Sequence, residues 1–214
     1  MELRTQDLPA VARLLARAFE ENRERLNELD ARIGDGDHGM SMARGFSALA
    51  ADFQARPPGS IEAALADGGM RFNEVSGSTI GILMFSAMRE AGKAAAGRET
   101  VTIADLRAML EAAVGGIRKR GKAEPGQKTI LDALVPALEA LRSGIAAGSP
   151  DVDVLRQTAQ AAEAGAETTR AMTPSVGRAR WFAERSAGEL DPGAVSGALI
   201  IRTVVDYLVG GESR

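Results

Sequence analysis

The 214-residue sequence has no cysteine and a single histidine, His38. Disulfides, thiolate metal sites and cysteine nucleophiles are thereby excluded, and zinc, which draws on thiolate and imidazole, is disfavoured. Aromatic residues make up only 4% of the chain. Alanine and leucine are plentiful instead, and both lose little side-chain entropy in a helix. There is no excess of positive charge: the net charge is -3, without the basic footprint that a nucleic-acid partner requires. Met1-Glu2-Leu3-Arg4 lacks the apolar run of a signal peptide, and no apolar stretch reads as long enough to span a bilayer. The expectation is a soluble, cytoplasmic protein without a membrane partner. At 45% apolar residues the chain can bury a core, and with no internal repeat or Pro/Ser-rich linker, residues 1–214 read as a single domain.

The apolar spacing is helical nearly throughout, with no convincing strand. Val11, Leu14, Leu15, Ala18, Phe19, Leu26 and Leu29 mark a first helix, capped by Asp7 or Thr5. A second follows His38. Ser60 caps a third after Arg56-Pro57-Pro58-Gly59, and Ile80 to Ala91 carry a fourth. Thr102-Ile103-Ala104-Asp105 resembles a capping box and opens a fifth. A sixth starts near Thr129 and contains Pro136; Asp151 caps a seventh. Asp191-Pro192 reads as N-cap and first-turn proline of an eighth. Three connecting stretches, 34–39, 115–128 and 173–193, are too polar and glycine-rich for plain turns, and loops on a rigid scaffold are where chemistry usually sits.

The most informative stretch is Leu29-Asp30-Ala31-Arg32-Ile33-Gly34-Asp35-Gly36-Asp37-His38-Gly39. Its glycines let the backbone fold tightly enough for Asp30, Asp35 and Asp37 to converge. Three carboxylates that close repel unless a cation sits among them, and an all-oxygen set suits magnesium, calcium or manganese. An EF-hand fails, because no glutamate ends a twelve-residue loop begun at Asp35. The plain alternative is a solvated turn that caps the next helix. His38 reads equally as a structural histidine or a phosphate donor.

Gly121-Lys122-Ala123-Glu124-Pro125-Gly126-Gln127-Lys128-Thr129 imitates a P-loop, but Gln127 separates the second glycine from Lys128 and no strand precedes it. A basic loop before a helix is the simpler reading, with Lys128 or its neighbours left to meet phosphates in some other architecture.

Gly34-Asp35-Gly36-Asp37-His38-Gly39, Gly126-Gln127-Lys128-Thr129-Ile130-Leu131-Asp132-Ala133-Leu134, Gly177-Arg178-Ala179-Arg180, Glu184-Arg185-Ser186 and Asp191-Pro192-Gly193-Ala194 occur in that order. Together they resemble the dihydroxyacetone kinase L subunit family over nearly the whole chain. The resemblance implies an all-α, antiparallel eight-helix barrel with a nucleotide at one end. It implies that Asp30, Asp35 and Asp37 hold two magnesium ions, and that His38, Gly39, Met40 and Ser41 wrap the phosphates of ADP or ATP. Ser78 and Thr79 match a second phosphate-contacting pair; Gly121, Ile130, Arg178, Asp191, Pro192 and Gly193 match the rest of the pocket. Asp30, Asp35, Asp37 and Arg178 are then the catalytic set, Arg178 adding positive charge. The implied acceptor is a short-chain hydroxyketone, dihydroxyacetone or another ketose such as erythrulose, held by a K-type partner subunit. The implied phosphoryl donor is ATP or a phosphotransferase-system protein. Two departures stand out: Ile80 replaces a glycine of the family pattern and Gln127 a common aspartate. The rival reading from another class is a non-catalytic helical protein that binds a cation or nucleotide.

Overall fold

The computed structural model describes residues 2–177 and 179–210. Among them are nine α-helices: α1 (Leu8–Glu21), α2 (Arg23–Ile33), α3 (His38–Ala55), α4 (Ile61–Ser76), α5 (Thr79–Ala94), α6 (Ile103–Gly121), α7 (Leu131–Ala146), α8 (Asp151–Thr168) and α9 (Pro192–Gly210). The expected first helix is two helices. At Asn22 the backbone leaves the helical region (φ -101°, ψ 5°), and the Asn22 side-chain amide donates to the carbonyl of Ala18 at 2.9 Å. Such local side-chain bonds compete with the helical ladder.

Several expected start signals are in place. Thr102 and Asp105 form the reciprocal capping box of α6, the Ser60 hydroxyl accepts from the amide of Ala63, and Asp191 accepts from the amide of Ala194 at 2.7 Å. Others are not. Asp7 occupies the N-cap position of α1, but its carboxylate accepts from the Arg4 amide and the Tyr207 hydroxyl instead. Asp151 is the first residue of α8, with Pro150 in the cap position. The stretch 115–128 is a loop only in its second half, because α6 runs on to Gly121. Gly116 is where α5 crosses closely: a Cβ there would lie 2.7 Å from the carbonyl oxygen of Ser86.

Each helix packs on the next, and α9 returns to α1, so α1, α3, α4, α5, α6, α7, α8 and α9 close a ring. Neighbours around the ring alternate in direction. The core links α1, α3 and α4 through Phe19, Phe46 and Phe72: the first two rings stack with centroids 4.8 Å apart, and the third meets Phe46 edge-on at 5.1 Å. At one end of the barrel a two-residue antiparallel pair, Leu3–Arg4 (β1) with Thr100–Val101 (β2), fastens the N-terminal segment to the α5–α6 connection. The sequence reading had no strand there; a pair this short leaves no periodic trace.

The ninth helix, α2, lies outside the ring. It packs on α3, on α9 and on a short 3₁₀ segment, Ala179–Ser186. One expectation needs correction: α9, at 19 residues and mean hydropathy 1.4, is long and apolar enough to cross a membrane by those two measures. In the barrel it is a wall between α8 and α1, and its Arg202 grips Glu163 of α8 with two bonds of 2.7 Å.

Candidate metal and nucleotide site

The barrel end opposite the β-pair gathers the starts of α3, α5, α7 and α9 with the ends of α2, α4, α6 and α8. Helix starts present unpaired amides and the positive end of the helix dipole, so this end favours an anion.

Asp30 sits in the last turn of α2, and Asp35 and Asp37 on the turn that leads into α3. One carboxylate oxygen from each lies within 4.8 Å of the others. The turn is built to hold this arrangement. Asp30 Oδ2 accepts from the amides of Gly36 (2.9 Å) and Asp37 (3.1 Å), folding the loop back over its own side chain. Gly36 takes a left-handed φ of 77°, which a glycine adopts without strain. Asp37 occupies the N-cap position of α3 but makes no side-chain capping bond, which counts against a turn whose carboxylates serve only to start a helix. The donor set is all carboxylate, so it fits a hard divalent cation.

Behind the acidic turn, α2 and α3 cross with almost no gap. A Cβ on Gly39 would lie 2.1 Å from the carbonyl oxygen of Arg23, and the amide of Met40 donates to Asn27 Oδ1 at 3.0 Å. Gly39, Met40 and Ser41 therefore stand behind the cavity wall rather than on it; Ser41 is buried, with its hydroxyl 3.4 Å from the carbonyl of Ser76. His38 does reach the wall. Its Nε2 lies 2.8 Å from Ser196 Oγ, tying the start of α3 to α9. Burial pushes its pKa down to about 4, against the pull of Asp30, so the imidazole is neutral at pH 7.

The cavity runs from Asp30, Asp35 and Asp37 to an apolar slot of Ile80, Leu83, Ile117, Ala123, Ile130 and Val176. Ser78, Thr79, Gly121, Ile130, Asp191, Pro192 and Gly193 all line it. Arg178 lies outside the described residues. Ser78 lines the cavity, and its hydroxyl is buried without a hydrogen-bond partner. Asp191 is buried, and desolvation raises its carboxyl to about 7 despite the amide of Ala194. Sequence reasoning missed Leu83, Ile117, Ala123 and Val176; each lies in a helical or loop pattern that gives no sign of a shared wall.

The imitation P-loop serves another purpose. The amides of Gly126 and Thr129 (2.7 Å for the latter) point at the carboxylate of buried Asp132, so this loop closes on the chain's own acid. A wider groove at the opposite end, between Glu2, Arg4, Arg17 and Tyr207, brings together no comparable set of ligands among the described residues.

A helical barrel that joins a three-carboxylate turn to an apolar slot beneath four helix starts defines a class of cation and nucleotide site. The chain belongs to the DAK2 domain family, whose model matches residues 32–206. It is 36% identical to the ADP-binding subunit DhaL of PEP-dependent dihydroxyacetone kinase 1 of Listeria innocua, covering 87% of this chain and 88% of that one. It is also 36% identical to the corresponding Escherichia coli subunit, over 83% and 85%. Among solved structures it resembles the dihydroxyacetone kinase of C. freundii in complex with AMP-PNP and Mg2+: TM-score 0.73, 26% identity, 93% of this chain but 33% of that one. The chain thus spans about a third of the longer, single-chain kinase. The two subunits it matches nearly end to end are of the ADP-binding, L-subunit kind.

Proposed function

We propose that this chain, acting as one nucleotide-binding unit, is the phosphoryl-carrying subunit of a dihydroxyacetone-type kinase, and that a partner subunit holds the hydroxyketone acceptor. The observation that carries the reading is the convergence of Asp30, Asp35 and Asp37 at the mouth of an apolar slot. Those carboxylates would hold two magnesium ions, which when bound neutralise phosphate oxygens. Ser78 and Thr79, at the start of α5, donate to phosphate through hydroxyl and amide. The slot of Ile80, Leu83, Ile117 and Val176 takes the base and keeps water from it. Arg178, in the Gly-Arg-Ala-Arg stretch, adds positive charge. The protein's contribution is placement and electrostatics rather than covalent chemistry.

A second acceptor has a specific observation behind it. The chain is 35% identical, over 96% of its length, to part of a D-erythrulose kinase of Mycolicibacterium smegmatis. A four-carbon ketose is therefore tested beside dihydroxyacetone. The deciding experiment is mass spectrometry of gently purified protein for bound ADP, followed by calorimetry with ADP in millimolar magnesium and in excess chelator. Magnesium-dependent ADP binding is expected. Equal affinity in chelator, or no binding at all, leaves only the reading of a helical protein that holds some other ligand.

A further inference from the structure

Lys128 is among the most buried side chains of the protein, at 2% exposure, and sits in a left-handed backbone conformation with φ 60°. Both facts are unfavourable in themselves. Burying an ammonium removes its hydration, and a left-handed φ strains any residue with a Cβ. A glycine would relieve both, so the side chain is what this position requires. The ammonium donates to two carbonyls, Ser186 at 2.6 Å and Met172 at 3.2 Å. These oxygens lie near the two ends of the connection between α8 and α9. Between them the chain supplies Val176, Gly177 and Ala179 to the wall of the nucleotide cavity. Lys128 itself comes from the α6–α7 connection on another side of that cavity. Asp132 prepares its position from beneath by holding the amides on either side of it, those of Gly126 and Thr129. Burial lowers the pKa of the amine, and Asp191 and Glu189 oppose that shift.

We propose that Lys128 is a positioning residue: its ammonium clasps the α8–α9 connection at Met172 and Ser186 and holds Val176, Gly177 and Ala179 against bound nucleotide, rather than contacting phosphate itself. The proposal rests on the nucleotide reading above for its consequence, but the clasp is measurable without nucleotide. Removing it frees two carbonyls and loosens the wall. Nucleotide then leaves faster.

Two arms test it. In the first, Lys128→Met and Lys128→Cys are digested with trypsin without nucleotide, and cleavage is followed after Arg180 and Arg185, both exposed on the clasped segment. Cleavage at least tenfold faster than in the unaltered protein is expected, with ADP dissociating at least tenfold faster in magnesium. The chain has no cysteine of its own. Alkylation of unfolded Lys128→Cys with 2-bromoethylamine, followed by refolding, therefore rebuilds a lysine-like ammonium at this one position. It should restore both protease resistance and ADP residence, which a merely space-filling role would not require. The second arm uses the unaltered protein and remains decisive if the variants fail to fold. A clasped ammonium exchanges its protons slowly and gives a 15N NMR signal in the nucleotide-free protein that stays in place when Mg-ADP is added. Unchanged cleavage in the variants overturns the proposal. So does weakened ADP binding with the segment still protected, or an ammonium signal that appears only with nucleotide; both assign Lys128 to direct phosphate contact. Failure of the unaltered protein to bind Mg-ADP would instead count against the nucleotide reading, with the trypsin and nucleotide-free NMR results still judging the clasp.

Discussion

At the scale of single residues, the site depends on two kinds of close approach. The first is electrostatic. Asp35 and Asp37 bring their oxygens within 4.8 Å of Asp30's, which is unfavourable without a cation between them. Asp35→Asn or Asp37→Asn removes one ligand charge and keeps the bonds by which Asp30 folds the loop back. Each should weaken ADP binding in magnesium by more than about a hundredfold, about 2.7 kcal/mol, read by calorimetry. Full affinity in both variants would remove the metal site from the model. The second approach is steric. Gly39 touches the backbone of Arg23 so closely that an added methyl would lie 2.1 Å from its carbonyl oxygen. Backbone cannot swing aside as a side chain can. Gly39→Ala should therefore push α3 away from α2 and cost about 1–3 kcal/mol, the range for overpacking, in chemical denaturation. A variant as stable as the parent would show that α2 moves freely relative to the ring.

At the scale of elements, α3 and α9 meet the cavity through a half-buried histidine and a buried aspartate whose effects oppose each other. Asp191, at the start of α9, is held protonated up to about pH 7 by burial, against an ordinary 3.8. The folded chain keeps a proton that the unfolded chain has released, so this contribution is complete below pH 3.8 and is lost as pH rises towards 7. His38, at the start of α3, is lowered to about 4 from 6.5. There the unfolded chain takes up the proton first, and stability is lost as pH falls from 6.5 towards 4. In chelator, Asp191→Asn should leave the histidine slope alone, with the melting temperature climbing more steeply with pH between about 4 and 6.5 than in the parent. His38→Gln should do the reverse. Identical pH profiles in all three proteins would contradict these assignments. The caps of α4, α6 and α9 were legible in the sequence because Ser60, Thr102–Asp105 and Asp191-Pro192 act within one turn. The break at Asn22 was not, since its apolar neighbours continue the helical spacing across it. The pair Gly115-Gly116 looked like a turn because composition cannot separate a flexible glycine from one that lets α5 approach. The acidic turn was legible for the opposite reason to the slot: its ligands come from eight consecutive residues. Leu83, Ile117, Ala123 and Val176 come from three separate segments and meet only when the ring closes.

At the scale of the whole molecule, an alternating barrel puts every second helix start at one end, and that end carries the acidic turn, the slot and the clasped α8–α9 connection. Binding there joins segments from both halves of the chain, so it should stabilise the whole ring. Mg-ADP at a hundredfold excess over its Kd adds about 2.7 kcal/mol, visible as a thermal shift that neither magnesium nor ADP gives alone. The same geometry leaves the acceptor unaccounted for. The described residues provide one cavity at this end, which the nucleotide reading already fills. The isolated chain should therefore phosphorylate dihydroxyacetone or erythrulose at a negligible rate. Turnover should appear on adding a K-type subunit that brings the ketose hydroxyl in line with the phosphate. Docking has a built-in reporter: Trp181, the sole tryptophan, is 73% exposed and two residues from Ala179 on the cavity wall. Its fluorescence should change when the partner binds and should not respond to an unrelated protein. With the partner present, turnover on ATP alone identifies an exchanging kinase. Turnover only with a phosphotransferase-system donor identifies ADP as a resident group that is rephosphorylated in place. Full activity of the chain by itself would overturn the division of labour, since the acceptor would then have to bind within this barrel.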